Sequence, residues 1–376
     1  MDIDSWEKAG LYEPGAPEAD ERRALLEFLT TRGATVEQMV EAHRLGRLPA
    51  VAGDLVMGSQ PATLSVQEVA DRCGVPVQRL QRVLLSLGIS VQSDDRLNES
   101  WVTLMAAFQQ GAELMSDDAL NAFTRVLGAA ATNIAEAAVA LFYAELGPGS
   151  ERQGSDELDR AQMSEAATVA FSAVPDVLSQ VLVDQFERAN RRAAIVRGWT
   201  TGSADDDEMA TGELVALGFV DLVGSTSWTE GLSLRDHSLA LSRFESAAWS
   251  SAVLAGGRVI KMIGDEVFFA APTADAACQI GTDVCAAAKA DPLLPSARGA
   301  VGLGLATPRE GDYFGPLVNL VSRLTKAARP ETLVVTQPTA AALPDGDWNV
   351  AELDPQPVRG LAGPVRVFAV TRARQG

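Results

Sequence analysis

Apolar positions recur with a helical period through residues 1–198 and with a strand-like period afterwards. Leu25, Leu26, Phe28 and Leu29 mark one face of a helix over 21–31, and Thr35 is placed to cap a second helix that runs through His43. Residues 64–89, LSVQEVADRCGVPVQRLQRVLLSLGI, read as a helix, a glycine-containing turn and another helix. Residues 118–146 are Ala-rich and apolar on more than one face, which predicts a buried central helix. Pro175 stands where a helix can begin, and Val177, Leu178, Val181, Leu182 and Phe186 follow it as one apolar stripe. Such a stripe packs inside its own domain or against a second copy of the chain.

The pattern breaks at 199–213, WTTGSADDDEMATGE, where Gly, Ser, Thr and a run of acids replace the periodic residues. Beyond it, strands are predicted over 213–222, 258–263, 266–271, 298–306, 332–336 and 365–371. Helices are predicted over 232–254, 274–290 and 316–328. Gly264-Asp265 forms a tight turn between two of the strands. Helices interleaved with five or more strands imply a layered α/β or α+β sheet domain. The expected division is a helical region over 1–198, a linker over 199–212 and a sheet domain over 213–376, α+β in all.

Length and composition narrow the function. A chain of 376 residues fits two domains at roughly 100–200 residues each. With 47% hydrophobic and 22% charged residues it has the balance of a globular protein. Thirty-one basic against 50 acidic residues leave a net charge of −19, which repels phosphate backbones and anionic membranes. Nucleic acid is therefore not expected as a partner. The most apolar stretch, 127–146, is interrupted by Asn133 and Glu136, so no stable membrane insertion is expected. The acidic N-terminus lacks the order of a signal peptide, and three cysteines form no disulfide framework. Both point to the cytoplasm.

Candidate chemistry lies in three segments. FVDLVGST (219–226) and IKMIGDEVF (260–268) each place an aspartate, Asp221 and Asp265, at a strand end or hairpin tip. Gly224, Ser225 and Thr226 lead into a helix, where backbone N–H groups and a close-approach glycine suit a triphosphate. Two carboxylates converging on phosphates hold hard cations such as Mg²⁺ or Mn²⁺. Two such ions ~3.5–4 Å apart activate an attacking hydroxyl and stabilise the leaving oxygen. In the third segment, GDYFGPLVNLVSR (311–323), Asp312 precedes an aromatic pair, and Asn319 and Arg323 stand four apart on one helix face.

These three motifs, in this order, resemble the class III nucleotidyl cyclase catalytic domain over roughly residues 213–371. The helical region resembles the regulatory domain of soluble, pH-responsive bacterial adenylyl cyclases. The resemblance implies a ferredoxin-like catalytic domain, with Asp221 and Asp265 as metal ligands for two divalent cations. It makes Lys261 and Asp312 the base-selecting pair, Asn319 the ribose-orienting residue and Arg323 the residue that stabilises charge on the α-phosphate. Arg359, in VRGLAG, aligns with a basic residue that contacts the terminal phosphates. Base choice also follows from hydrogen-bond polarity. Adenine offers a ring-nitrogen acceptor beside an amino donor, which a lysine donor and an aspartate acceptor satisfy, whereas guanine reverses the pattern. ATP is the expected substrate, and cyclic AMP and pyrophosphate the products.

The family geometry also implies a homodimer with sites at the subunit interface. One chain supplies the aspartates, and its partner supplies Lys261, Asp312, Asn319 and Arg323. Two departures concern the triphosphate and the dimer: the segment between Gly304 and Asp312 is short, and Leu305 stands where the family often has an arginine, leaving Arg309 as a substitute. The helical region is expected to inhibit the catalytic domain, with relief by pH or by an apolar ligand such as a fatty acid.

Two other functions are open to the sequence. Gly264-Asp265-Glu266 echoes the turn of diguanylate cyclases, although Lys261 and Asp312 disfavour a guanine nucleotide for that reading or for a guanylate cyclase. The helix-turn-helix pattern would suit a nucleotide-sensing transcriptional regulator, but Arg72, Arg79 and Arg82 are opposed by Glu68 and Asp71, leaving only +1 over that stretch. His43 and His237 are the two side chains that ordinarily titrate between pH 5 and 8. Cys278 and Cys285 lie seven apart on one helix, a spacing for core packing rather than metal ligation.

Overall fold

The computed structural model describes residues 3–57, 62–146, 156–200, 212–224, 228, 231–356 and 363–373. The chain divides into two compact units, Met1–Asp184 and Gln185–Gly376. That division falls ahead of the expected linker at 199–212, of which 201–211, including the acidic run Asp205–Glu208, lie outside the described residues.

The first unit is helical. Thr35 caps the Val36–Arg44 helix through a capping box with Gln38, as its position predicts, and Ser65 does the same with Glu68 for Val66–Cys73. Gly74, in the left-handed region at φ 65°, ends that helix, and Val77–Ser86 follows, so the helix-turn-helix rhythm is real. A two-stranded sheet, β1 (Leu64–Ser65) with β2 (Arg96–Leu97), flanks it. One core gathers Trp6, Leu25, Leu26, Leu29, Met39 and Ala161, and a second gathers Val66, Val69, Leu80, Leu84, Leu97 and Met105. Ala161 belongs to a helix over Glu157–Phe171 that the sequence pattern leaves unmarked, because its apolar face is short and Ala-rich.

The long helices depart from expectation. Asp117–Leu146 forms, but Leu127, Ile134, Val139 and Leu141 on it are exposed rather than buried. Helix Val174–Thr200 begins beside Pro175, and Val177, Leu178, Val181, Leu182 and Phe186 are exposed too. The stripe therefore does not pack inside its own unit. Asn133 and Glu136 do not lower the hydropathy enough to settle the membrane question: Asp117–Ala144 and Glu157–Ala194 each contain an 18-residue window long and apolar enough to cross a membrane by composition.

In the second unit β3 (Glu213–Leu222), the helix Leu234–Leu254, β4 (Arg258–Ile263), β5 (Glu266–Ala271), the helix Ala274–Ala290 and β6 (Ala297–Arg309) follow in order. They form an antiparallel sheet in the order β4-β5-β3-β6, the ferredoxin-like arrangement. β8 (Leu333–Thr336) adds parallel to β6, and β10 (Val367–Arg372) and β9 (Trp348–Glu352) continue the sheet. β7 (Asp312–Phe314) folds back on the end of β6, so the short 304–312 segment is a hairpin arm rather than a bare loop.

β3 is central and buried on both sides, and its alternation separates two cores. Ala216, Val220 and Leu222 pack with Phe244, Ala248, Ile280 and Val284 of the Leu234–Leu254 and Ala274–Ala290 helices. Val215, Leu217 and Phe219 pack with Val321 and Leu324 of the helix Pro316–Ala327. Gly218 is needed where β3 meets β5, since a Cβ there would lie 2.1 Å from Cζ of Phe269. By the period-two rule Asp221 joins the second face, the one covered by the helix that carries Asn319 and Arg323.

Candidate active site

Register places the site. Asp221, next to last in β3, lies opposite Glu266 of β5 and Arg298 of β6, so all three project from one sheet face. Asp265 occupies the two-residue turn between β4 and β5 with Gly264, whose φ of 64° favours glycine. Its carbonyl accepts from the Leu222 N–H at 3.2 Å, which fastens the turn to the end of β3 and brings the two predicted aspartates to one corner. Val223 N–H in turn donates to the Ser296 carbonyl at 2.8 Å.

That corner holds more charge than the motifs disclose. Asp221 is almost fully buried, and its carboxylate is divided between two cations: Arg298 Nη2 lies 3.0 Å from Oδ2, and Lys326 Nζ lies 2.7 Å from Oδ1. Lys326 also reaches Glu266 Oε2 at 3.3 Å, while the buried Glu266 Oε1 has no hydrogen-bond partner. Burial raises the Glu266 carboxyl above the usual carboxylate range. The Lys326 charge opposes that rise, and the Asp221 and Asp265 carboxylates add to it. For Lys326 the balance reverses: burial acts to lower it, but the bond to Asp221 and the charge of Glu266 hold the ammonium above its ordinary value. Arg298 Nη1 also donates to the Lys326 carbonyl at 2.8 Å, tying the end of the helix to the strand.

Lys261 and Asp312 meet as an ion pair with Nζ 2.5 Å from Oδ2, although 51 residues separate them. Lys261 lies opposite Phe268 on β4, on the same face as Asp221, with its ammonium 5.8 Å from the Phe268 ring centre. Asp312 is fixed through its other oxygen, which accepts from the Tyr313 N–H at 2.7 Å. Asn319 and Arg323 are exposed on the Pro316–Ala327 helix, with Lys326 continuing their stripe at i, i+4 and i+7.

Gly224 adopts φ 71°, and its carbonyl accepts from the Trp228 N–H at 3.1 Å. Ser225, Thr226 and Arg359 lie outside the described residues. Arg309 contacts Glu310 at the tip of the β6–β7 arm.

Sequence reasoning leaves Arg298 and Lys326 unnamed and names Glu266 only as part of the turn that echoes diguanylate cyclases. Glu266 had a signal, adjacency to Asp265. Arg298 and Lys326 had none, since they reach Asp221 across 77 and 105 residues. Among the described residues no three His, Cys, Asp or Glu side chains converge as a ready cage. The oxygen-only donors at the corner nonetheless suit a hard divalent cation, and the orphaned Glu266 Oε1 marks unmet demand for positive charge.

No family model matches the chain. It is 29% identical over 370 residues to an uncharacterized protein of Mycobacterium tuberculosis, covering 98% of this chain and 94% of that one. It is also 29% identical over 376 residues to a pH-sensitive adenylate cyclase of the same organism, covering 96% and 91%. Among solved structures, an adenylyl cyclase from P. aeruginosa aligns with 43% of this chain and 95% of its own at 22% identity, with a TM-score of 0.39. Similarity to proteins named adenylate cyclase runs nearly the whole length of the chain, and it joins three spaced motifs whose residues gather around one end of the sheet; both support a class III adenylyl cyclase.

Proposed function

We propose that the protein is an adenylate cyclase that converts ATP to 3′,5′-cyclic AMP and pyrophosphate. The observation that carries this is the Lys261–Asp312 couple, a donor and an acceptor held side by side on a rigid sheet face. Adenine inserts by taking the ammonium on its ring nitrogen and giving its amino hydrogen to the carboxylate, so each group exchanges one partner for another. Guanine would set like groups against like.

Asn319 orients the ribose so that its 3′-oxygen lies in line with the α-phosphorus, and Arg323 stabilises the charge that grows on the α-phosphate oxygens. The new bond joins O3′ to the α-phosphorus, the bond to the bridging oxygen of the β-phosphate breaks, and the hydroxyl proton is lost to solvent. Gly224, Ser225, Thr226 and Arg359 hold the triphosphate. Asp221 and Asp265 would hold two divalent ions, Mg²⁺ or Mn²⁺, which when bound would supply Lewis acidity for the attacking hydroxyl and the departing pyrophosphate.

In the working arrangement the aspartates come from one protomer and the base, ribose and phosphate residues from its partner, giving a homodimer with two equivalent sites. The exposed apolar stripes on Asp117–Leu146 and Val174–Thr200 are surface that a second copy would cover. The helical unit acts as the regulator, inhibiting until pH or an apolar ligand relieves it. The helix-turn-helix within it packs rather than reads DNA, since Arg72 and Arg79 are occupied by Glu99 and Asp117.

Purified protein with Mn²⁺ and either ATP or GTP tests the assignment. Cyclic AMP from ATP well above cyclic GMP from GTP is expected, and Asp265→Ala should abolish it while the circular dichroism spectrum and melting curve stay as in wild type. Full turnover by that variant removes the mechanism, and a preference for GTP removes the base assignment.

A further inference from the structure

We propose that Lys326 is a tethered counter-ion of the metal centre, seated between Asp221 and Glu266 until a divalent cation displaces it, and that it thereby sets the metal concentration the enzyme requires. The inference rests on the reading of Asp221 as a metal ligand and goes beyond it.

The Asp221 and Glu266 side chains are 5% and 9% exposed, whereas that of Lys326 is 50% exposed. Two buried carboxylates facing each other across a strand pair are unstable unless a positive charge lies between them. Lys326 supplies that charge from the last turn of its helix, reaching both carboxylates at once. Arg298 cannot replace it: it binds the other oxygen of Asp221, and its Nη1 is anchored to the Lys326 carbonyl. One carboxylate oxygen, Glu266 Oε1, remains unserved. The half-exposed lysine has a flexible four-carbon stem and an open route to solvent, while the arginine is pinned. A doubly charged ion satisfies the same oxygens more fully, but it cannot share them with an ammonium 2.7 Å from Asp221 Oδ1. Metal binding and lysine release are therefore one exchange. Because the ammonium is attached to the site, it competes at a high and constant effective concentration.

Mn²⁺ alone is the probe, with binding read from loss of the free-ion electron paramagnetic resonance signal on full-length, nucleotide-free protein. Lys326→Met should bind Mn²⁺ about tenfold more tightly than wild type, and Lys326→Arg no more tightly. Without metal, Lys326→Met should melt below wild type, and saturating Mn²⁺ should stabilise it more than it stabilises wild type. Lys326→Gln provides the same comparison if the methionine variant does not fold. Asp221→Asn should lose the site. Equal or weaker Mn²⁺ binding by the neutral variants, with Asp221→Asn still defective, overturns the counter-ion role and leaves the metal site standing. Wild-type binding by Asp221→Asn overturns the metal assignment itself.

Discussion

Desolvation acts on Glu266 and Cys278 alike, but their neighbours make the outcomes different. At Glu266 the penalty on the charged form is opposed by an ammonium 3.3 Å away. At Cys278, fully buried among Ala277, Ile280 and Val284, burial pushes the thiol up to about 12 and the nearby charge of Asp275 adds to it. A pKa raised in the folded state contributes stability that is complete below the thiol's unfolded value near 9. That contribution fades as pH climbs through about 12. The thiolate is also the reactive form, so at neutral pH Cys278 is inert while the protein is folded. Mass mapping after a brief pulse of iodoacetamide at pH 8 should find the half-buried Cys73 modified first and Cys278 protected until denaturant is added. Prompt labelling of Cys278 in the native protein would mean that the Ala274–Ala290 helix does not bury it.

At the level of elements, β3 links the core to the proposed site, because the strand that separates the two cores carries Asp221 next to its end. Gly218→Ala forces a methyl group into the Phe269 ring and should cost about 1–3 kcal/mol, read as a lower urea midpoint. Turnover should fall with it, since any shift of β3 moves Asp221 relative to Asp265; an unchanged midpoint would place Phe269 elsewhere. The elements that position the site were legible in the chain. β4, β5 and the Ala274–Ala290 helix fall on their expected residues because two-residue and 3.6-residue periods are local properties. Edge strand β9 was not legible, because its pattern of one buried residue followed by four exposed ones carries no alternation. The Lys261–Asp312 pair, proposed to select the base, was found by its motif. The cations on Asp221 stayed hidden because they depend on strand register and on where a helix ends, neither of which a single sequence displays. The long helices failed for a related reason: hydropathy reports that a face needs cover and is silent about what covers it.

For the whole molecule the decisive matter is how many chains make a site. Each chain already pairs Lys261 with Asp312 and fastens Asp265 to the end of β3 that carries Asp221, the two groupings that the proposed mechanism draws from different protomers. If catalysis joins the carboxylate half of one protomer to the base half of another, damage to different halves can be separated. Lys261→Ala and Asp265→Ala homodimers should each be inactive. Mixed and allowed to exchange, equal amounts would form heterodimers in about half the population, each with one intact site and one doubly damaged site. The mixture should therefore recover about a quarter of wild-type cyclic AMP formation, at a rate set by subunit exchange, and lose it on dilution below the dimer dissociation constant. A net charge of −19 makes that dissociation sensitive to ionic strength, because added salt screens the repulsion between two like-charged protomers. Recovery should be larger at 0.3 M than at 0.03 M potassium chloride. A mixture no more active than its parts would place both halves of the site in one chain, and the dimer would then have no part in the chemistry.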